Sequence, residues 1–148
     1  TSAGVRSWGR MEGKVYQKFT YDFAIYGGDV STIALGAEAI KYLPAKAIID
    51  ASSSYIVVET ALTSGGLATV EVGLSVSATS AAYLSNDTNF FNGATAFSAA
   101  PFNAVGDVVT GLGNIGQLQE TGKVTFKINV AALTAGKISV YVAYINAG

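Results

Sequence analysis

The glycines at positions 111, 113 and 116, in the stretch VVTGLGNIGQ, form a G-x-G-x-x-G pattern. In dinucleotide-binding proteins this pattern joins a strand to a helix whose N-terminus receives the pyrophosphate, and an acidic residue about twenty positions later binds the ribose. Here Glu120 is the last acidic residue of the chain, and the segment after it alternates like a strand. We therefore predict a loop between short strands, whose exposed surface is worth testing for contact with another subunit.

Paired carboxylates are a second route to chemistry, because two acidic side chains at the right separation can hydrolyse a glycosidic bond. Glu59 and Glu71 lie on either side of a predicted turn and could approach each other across neighbouring strands. The alternation of apolar and polar residues instead places both on the solvent face of a sheet, and it places Asp22 and Asp50 similarly. A carboxylate-dependent glycosidase is kept only as a third alternative.

Asp87 lies between Asn86 and Asn89 in an oxygen-rich segment that resembles a loose calcium loop. The segment lacks the ordered acidic spacing and the closing glutamate of an EF-hand. Asn and Asp also favour turns, because their side chains bond to the nearby backbone. A turn is therefore the better interpretation, and no metal site is predicted.

The 148-residue chain has no His and no Cys. This composition excludes a Ser-His-Asp triad, a His-based zinc site, thiolate chemistry and a disulfide framework. We therefore expect a protein that is not an enzyme and that needs no cofactor.

Charged residues make up 13% of the chain, and the net charge is -1. Residues 1–14 carry three basic residues against Glu12, whereas the rest has six Lys against nine acidic residues. A body with so little positive charge is a poor nucleic-acid binder. A surface with so little charge also suggests that part of it is covered by other protein. No apolar run is long enough to span a membrane, and the N-terminus lacks the apolar run of a secretory signal, so we expect assembly in a cytoplasm.

Alternation of apolar and polar residues predicts strands with short Gly-rich turns and no helix of ten or more residues. Phe19, Tyr21, Phe23 and Ile25 should face inward from one strand, and the series from Val124 to Val130 should do so from another. Turns at 63–66 and 131–136 predict two hairpins. Residues 77–118 should form short strands and long loops. The strands are expected at 15–26, 31–35, 47–60, 67–76, 107–109, 123–130 and 137–145.

This pattern predicts an all-β protein, with a β-sandwich or jelly-roll-like domain at 15–148 after an extended N-terminal arm at 1–14. Aromatic and basic residues off the apolar faces are the candidates for contact with a neighbouring subunit or a ligand. In the arm, Trp8 would be an apolar anchor between two cations. The candidates are Arg6, Trp8, Arg10, Lys14, Tyr16, Tyr26 and Tyr141.

Three segments carry a resemblance to a known family: residues 19–36, residues 43–74 with LPAKAII and TSGGLATVEVG, and residues 132–145 with ALTAGKISVYVAYI. They resemble the small head-decoration, or cement, proteins of tailed bacteriophages. The likeness covers about residues 19–75 and 131–145, and its motifs are structural rather than catalytic.

The resemblance implies a non-enzymatic virion protein that binds the outer capsid lattice and reinforces the phage head. Its partners would be the major capsid protein and further copies of itself, commonly as a homotrimer, with the arm reaching onto the coat or an adjacent subunit. The alternative is a carbohydrate- or receptor-binding module of a phage tail, baseplate or fibre, to which exposed Tyr residues are suited.

Overall fold

The computed structural model describes residues 14–36 and 41–146, which form two antiparallel β-sheets packed as a sandwich. This confirms the all-β prediction. No helix of the described part is long and apolar enough to cross a membrane. One short helix, α1, spans Phe23–Tyr26; the strands are β1 (Lys14–Asp22), β2 (Ser31–Ala34), β3 (Ile48–Ser64), β4 (Thr69–Ser75), β5 (Asp87–Ala96), β6 (Val108–Thr110), β7 (Ile115–Gln117), β8 (Lys123–Asn129) and β9 (Leu133–Ile145).

Sheet I has the order β1-β9-β3-β6, with β7 also paired to β3, and sheet II has the order β2-β8-β4-β5. The two predicted hairpins are wrong, because the chain crosses from one sheet to the other at both turns. Strand β3 pairs with β9 in sheet I, and β4 pairs with β8 in sheet II. The Gly-rich turn at 63–66 reverses the chain as predicted, but turn chemistry does not specify which strand becomes the partner.

The core lies between the sheets and is built by the predicted alternation. Phe19 and Tyr21 of β1 are fully buried. The alternate apolar residues of β4, β8 and β9 are buried with them: Val70, Val72, Leu74, Val124, Phe126, Ile128, Ile138, Val140 and Val142. The Tyr21 hydroxyl donates to the Gly27 carbonyl oxygen at 2.7 Å. Burial, and then the charge of Asp22, raises the pKa of Tyr21 to about 12.

The first predicted strand is too long, because β1 ends at Asp22. The Asp22 side chain accepts a hydrogen bond from the Ala24 N–H at 3.0 Å and caps α1. Gly27, with φ of +74°, then ends the turn. Ile25 is consequently 60% exposed and does not face the core.

Two other predictions about the chain's pattern are corrected. Val130 does not continue the inward series of β8: it is 73% exposed, with φ of +74°, just past the strand end. The weakly patterned region 77–118 contains a ten-residue strand, β5, in addition to the short strand β6, which was predicted at 107–109. The alternation of β5 is hidden because consecutive Phe90 and Phe91 are both buried where its pairing with β4 shifts register.

Candidate interaction surface

Residues 111–114 of the glycine motif form a loop beside a bulge in β3, where the pairing of β3 with β9 shifts register between Asp50 and Tyr55. Strand β7 pairs with residues 48–50 at the start of β3, and β6 pairs with residues 55–57 near its middle. The Gly111 N–H donates to the Ser54 carbonyl, and the Ala51 N–H donates to the Asn114 carbonyl. The predicted loop between short strands is confirmed, and its glycines have a packing role.

A Cβ atom at Gly111 would overlap the carbonyl oxygen of Ala51, and one at Gly116 would overlap the Leu84 side chain. Gly113 has nothing within 4 Å of that position. Two of the three glycines are therefore needed for close approach, one to backbone and one to a side chain. The part of the chain that the structure describes places no helix after this loop.

Asp50 holds the bulge in shape. Its carboxylate accepts from the Ser52 N–H at 3.1 Å, from the Ser52 hydroxyl at 2.7 Å and from the Ser53 hydroxyl at 2.9 Å. Lys14 Nζ lies 3.4 Å from the same carboxylate. The hydrogen bond from Ser52, supported by Ser53 and Lys14, holds the pKa of Asp50 below its ordinary value. The ionised carboxylate therefore links these residues and fixes the shape of the bulge.

Glu59 lies on the outer face of sheet I, with its carboxylate against the Ser139 hydroxyl. Its oxygens are 3.8 Å from Lys18 Nζ and 3.7 Å from Lys137 Nζ. The hydrogen bond from Ser139, and then the two lysine charges, hold the pKa of Glu59 below its ordinary value. A carboxylate kept ionised in this way is a poor general acid.

Glu71 lies in sheet II, so it does not pair with Glu59 across neighbouring strands. It accepts from the Thr88 hydroxyl at 2.7 Å and from the Asn129 amide at 3.3 Å. Asp87 accepts from the Asn89 N–H at 3.0 Å, which is the local bond expected of Asp in a turn. Both residues nevertheless lie in β5, so the predicted turn is wrong. Within residues 14–36 and 41–146, no group of three or more acidic side chains could hold a metal ion.

The outer face of sheet I carries a cluster of apolar side chains, here called the tyrosine face: Tyr16, Tyr55 and Val108 are exposed, and Val57 and Tyr141 are half-buried. Cross-strand pairing sets Tyr141 between Lys18 of β1 and Tyr55 of β3, and Val57 opposite Val108. The Tyr16 and Tyr55 rings stack with centroids 6.2 Å apart. Tyr16 is 49% exposed, Tyr55 40% and Val108 59%.

The borders of the tyrosine face are polar. Lys14 and Asp50 lie at one side, and Glu59 with its two lysines lies at the other. Lys18 Nζ is also 5.8 Å from the centre of the Tyr141 ring. An apolar centre with a charged rim is the usual arrangement of a protein–protein contact.

The outer face of sheet II differs in chemistry. Its central positions pair Glu71 with Lys127 and Gly73 with Thr125, and Lys123 stands opposite Ser75. No aromatic side chain projects there from the described part of β4 or β8, because Phe126 of β8 is buried in the core. Both sheets bury apolar side chains in the core, but their outer faces differ, and this difference makes sheet I the candidate surface for contact.

The predicted contact residues fall into three groups. Tyr16 and Tyr141 lie on the tyrosine face, and Lys14, the first residue of β1, lies at its border. Tyr26 instead packs against the core, stacks on Tyr21 and accepts from the Gly36 N–H through its hydroxyl. Arg6, Trp8 and Arg10 lie outside the described residues.

Sequence reasoning missed Tyr55 and Val108 as surface residues. Tyr55 follows three serines in β3, and the bulge at 51–54 shifts its orientation relative to simple alternation. The run of Asp50 and Ser52 to Ser54 was the available signal, since clustered Asp and Ser compete for backbone hydrogen bonds and disturb a strand.

No protein-family model matches this chain, and a search of curated proteins finds no match in sequence. Solved structures do share its fold. A chain of the acidic stable capsid structure of Helicobacter pylori bacteriophage KHP30 superposes with a TM-score of 0.56, over 91% of this chain and 89% of that one, at 14% identity. A chain of the cyanophage Pam1 capsid asymmetric unit gives 0.52, over 97% and 93%, at 16% identity.

Proposed function

We propose that this chain is a structural bacteriophage virion protein that binds the outer face of the capsid lattice and stabilises the head. It acts by binding alone, without catalysis or a cofactor, and its partners are the major capsid protein and further copies of itself, as a homotrimer. The observation that carries the proposal is the fold that it shares, over nine-tenths of its length, with chains of two phage capsids.

The strand order supports a jelly roll. Strands β6 and β7 act as two halves of one strand because both pair with β3, which leaves four strand positions in each sheet. Eight-stranded jelly rolls of two sheets build many viral capsid and lectin domains. This architecture fits a shell component, and it also fits the carbohydrate-binding alternative.

The tyrosine face and the N-terminal arm supply the proposed contacts. Tyr16 lies two residues after Lys14 in β1, so a shell contact made by the N-terminal arm would adjoin the tyrosine face. Aromatic side chains are frequent anchors at the centre of interfaces. Many copies on a lattice convert weak single contacts into firm attachment.

The proposal is tested with purified protein and expanded, undecorated phage shells. We expect saturable co-sedimentation and a higher temperature of shell breakage. Replacing Tyr16 and Tyr55 together by Ala should weaken binding about tenfold or more, because truncated aromatic anchors commonly cost over 1 kcal/mol each. Removal of residues 1–13 should also weaken binding while the fold is retained.

Tyr42→Ala is the matched control, because Tyr42 is 46% exposed and lies outside β1, β3 and β9. It should bind like the wild type. Absence of binding to shells by the wild-type protein would refute the proposal.

A carbohydrate-binding module of a tail, baseplate or fibre is the second candidate, because exposed, adjacent Tyr16 and Tyr55 rings also suit sugar stacking. A glycan array separates the two functions. A specific sugar bound by the wild type and lost in the double Ala variant would favour this alternative.

A further inference from the structure

Asn92 and Gly93, near the middle of strand β5, form the only Asn-Gly pair of the chain. An asparagine side chain can react with the backbone nitrogen of the next residue, and glycine obstructs this approach least because it has no Cβ. The other six asparagines are followed by residues that carry a Cβ: Asp, Phe, Ala, Ile, Val and Ala. The sequence therefore singles out Asn92 as the asparagine best suited to this reaction.

Strand β5 is irregular at this point. Its pairing with β4 shifts register directly after Asn92, so two residues, Gly93 and Ala94, stand opposite one residue of β4. A bulge of this kind leaves one residue unpaired and disrupts the ladder of backbone hydrogen bonds. The position that a Cβ would take at Gly93 has nothing within 4 Å, and β5 is the outermost strand of sheet II in the described part. The backbone at Gly93 therefore has room to turn toward the Asn92 side chain.

Hydrogen bonds hold the Asn92 side chain against the same segment. Its Nδ2 donates to the Gly93 carbonyl oxygen at 2.9 Å and to the Thr95 hydroxyl at 3.1 Å. The Thr95 hydroxyl in turn donates to the Gly93 carbonyl oxygen at 2.9 Å. The amide group thus lies beside the residue whose nitrogen would attack it, and such proximity lowers the barrier of an intramolecular step. Asn92 and Gly93 are both only half-buried, so water reaches them.

We propose that Asn92 is a site of spontaneous modification, which the folded protein converts to aspartate and isoaspartate. The Gly93 nitrogen loses its proton to hydroxide and attacks the Asn92 Cγ. A C–N bond forms, the bond from Cγ to Nδ2 breaks, and ammonia leaves a cyclic imide behind. Water then adds to one imide carbonyl and opens the ring, which gives aspartate at the side-chain carbonyl and isoaspartate at the main-chain carbonyl. The net reaction consumes one water and releases one ammonia, with no oxidation or reduction.

The modification should weaken the bulge in β5. A carboxylate cannot donate as the Asn92 amide does, so both hydrogen bonds from Nδ2 are lost and the carboxylate lies against the Gly93 carbonyl oxygen. Isoaspartate also adds one carbon to the backbone where the pairing with β4 changes register. Phe90 and Phe91, directly before this position, are buried in the core. Modified protein should therefore be less stable than fresh protein.

The test incubates the folded protein in mildly alkaline buffer and follows every asparagine by peptide mass spectrometry, with isoaspartate methyltransferase labelling to identify the isomer. We expect Asn92 to show the mass change from amide to acid before any other asparagine. Gly93→Ala should slow the reaction about tenfold, because a Cβ hinders the attack, and should leave Tm unchanged because the methyl group enters open space. Gly113→Ala is the matched control, since it also places a methyl group in open space but outside β5. It should react like the wild type.

Two further measurements complete the test. Asn92→Asp should lower Tm by about 3 °C, because it removes the hydrogen bonds of the amide; an unchanged Tm would overturn the expected weakening of the bulge. Incubation in urea measures the same reaction in the unfolded chain. Conversion in urea but not in the folded protein would overturn the proposal, as would equal rates for the wild type and Gly93→Ala. These measurements use no shells, so their outcome is independent of the proposed function.

Discussion

Substitution of the motif glycines tests why they are present. In Gly111→Ala, the new Cβ would overlap the Ala51 carbonyl oxygen, which is backbone and cannot rotate away. In Gly116→Ala, the obstacle is the Leu84 side chain, which can change rotamer. In Gly113→Ala, the methyl group enters open space. We therefore predict a loss of stability that is largest at 111, smaller at 116 and absent at 113.

The magnitude follows from the cost of over-packing. Forcing a methyl group into a well-packed site costs about 1–3 kcal/mol. A domain of this size changes its Tm by about 3 °C for each kcal/mol. Gly111→Ala should therefore lower Tm by roughly 3–9 °C, while Gly113→Ala should stay within about 0.5 kcal/mol of the wild type.

Thermal unfolding followed by circular dichroism measures all three variants, with and without millimolar NAD. A bound dinucleotide would raise Tm by mass action, and we expect no such rise. Equal Tm values for Gly111→Ala and Gly113→Ala would refute the packing argument. A rise with NAD that Gly111→Ala abolishes would restore the nucleotide hypothesis.

Two further predictions concern stability. The lowered pKa of Glu59 means that its ionised form stabilises the fold above the unfolded-state pKa, and this stabilisation is lost as pH falls through the folded-state pKa. Stability should thus decrease below about pH 4.5, and less so in Glu59→Gln; identical acid titrations would contradict this. The buried Thr125 hydroxyl has no hydrogen-bond partner among the described residues. Thr125→Val should therefore raise the free energy of unfolding, measured by urea titration, by about 1 kcal/mol. A lower free energy of unfolding would show that the hydroxyl does have a partner.

The inner faces of the strands could be predicted from the sequence because alternation reports burial directly. Phe19, Val72 and Val140 are buried as expected. The pairing of the strands could not be predicted, since a reversal such as that at 63–66 is compatible with a hairpin or with a crossing between sheets. The ends of β1 and β8 were also missed. Asp22 ends β1 by capping α1 through a local bond from the Ala24 N–H, although the alternation continues past it, and Val130 adopts a positive φ that is unusual for a β-branched residue.

The candidate site was predicted only in part. Tyr16 and Tyr141 follow from alternation, and the structure places both on the tyrosine face. Tyr26 occupies a polar-face position in the predicted strand, but α1 replaces that part of the strand and turns Tyr26 toward the core. The bulge that Asp50 stabilises turns Tyr55 to the outer face of sheet I. A bulge is a shift in the pairing of two strands that are distant in sequence, so the alternation within one strand gives little sign of it.

The outer faces of the two sheets give a physical argument for association that does not depend on the comparisons. Both inner faces are buried in one core, so folding alone would allow polar residues on both outer faces. Sheet II has them, with Glu71 opposite Lys127, whereas sheet I exposes Tyr16, Tyr55 and Val108. Exposed apolar side chains gathered on one face support the proposed contact through sheet I.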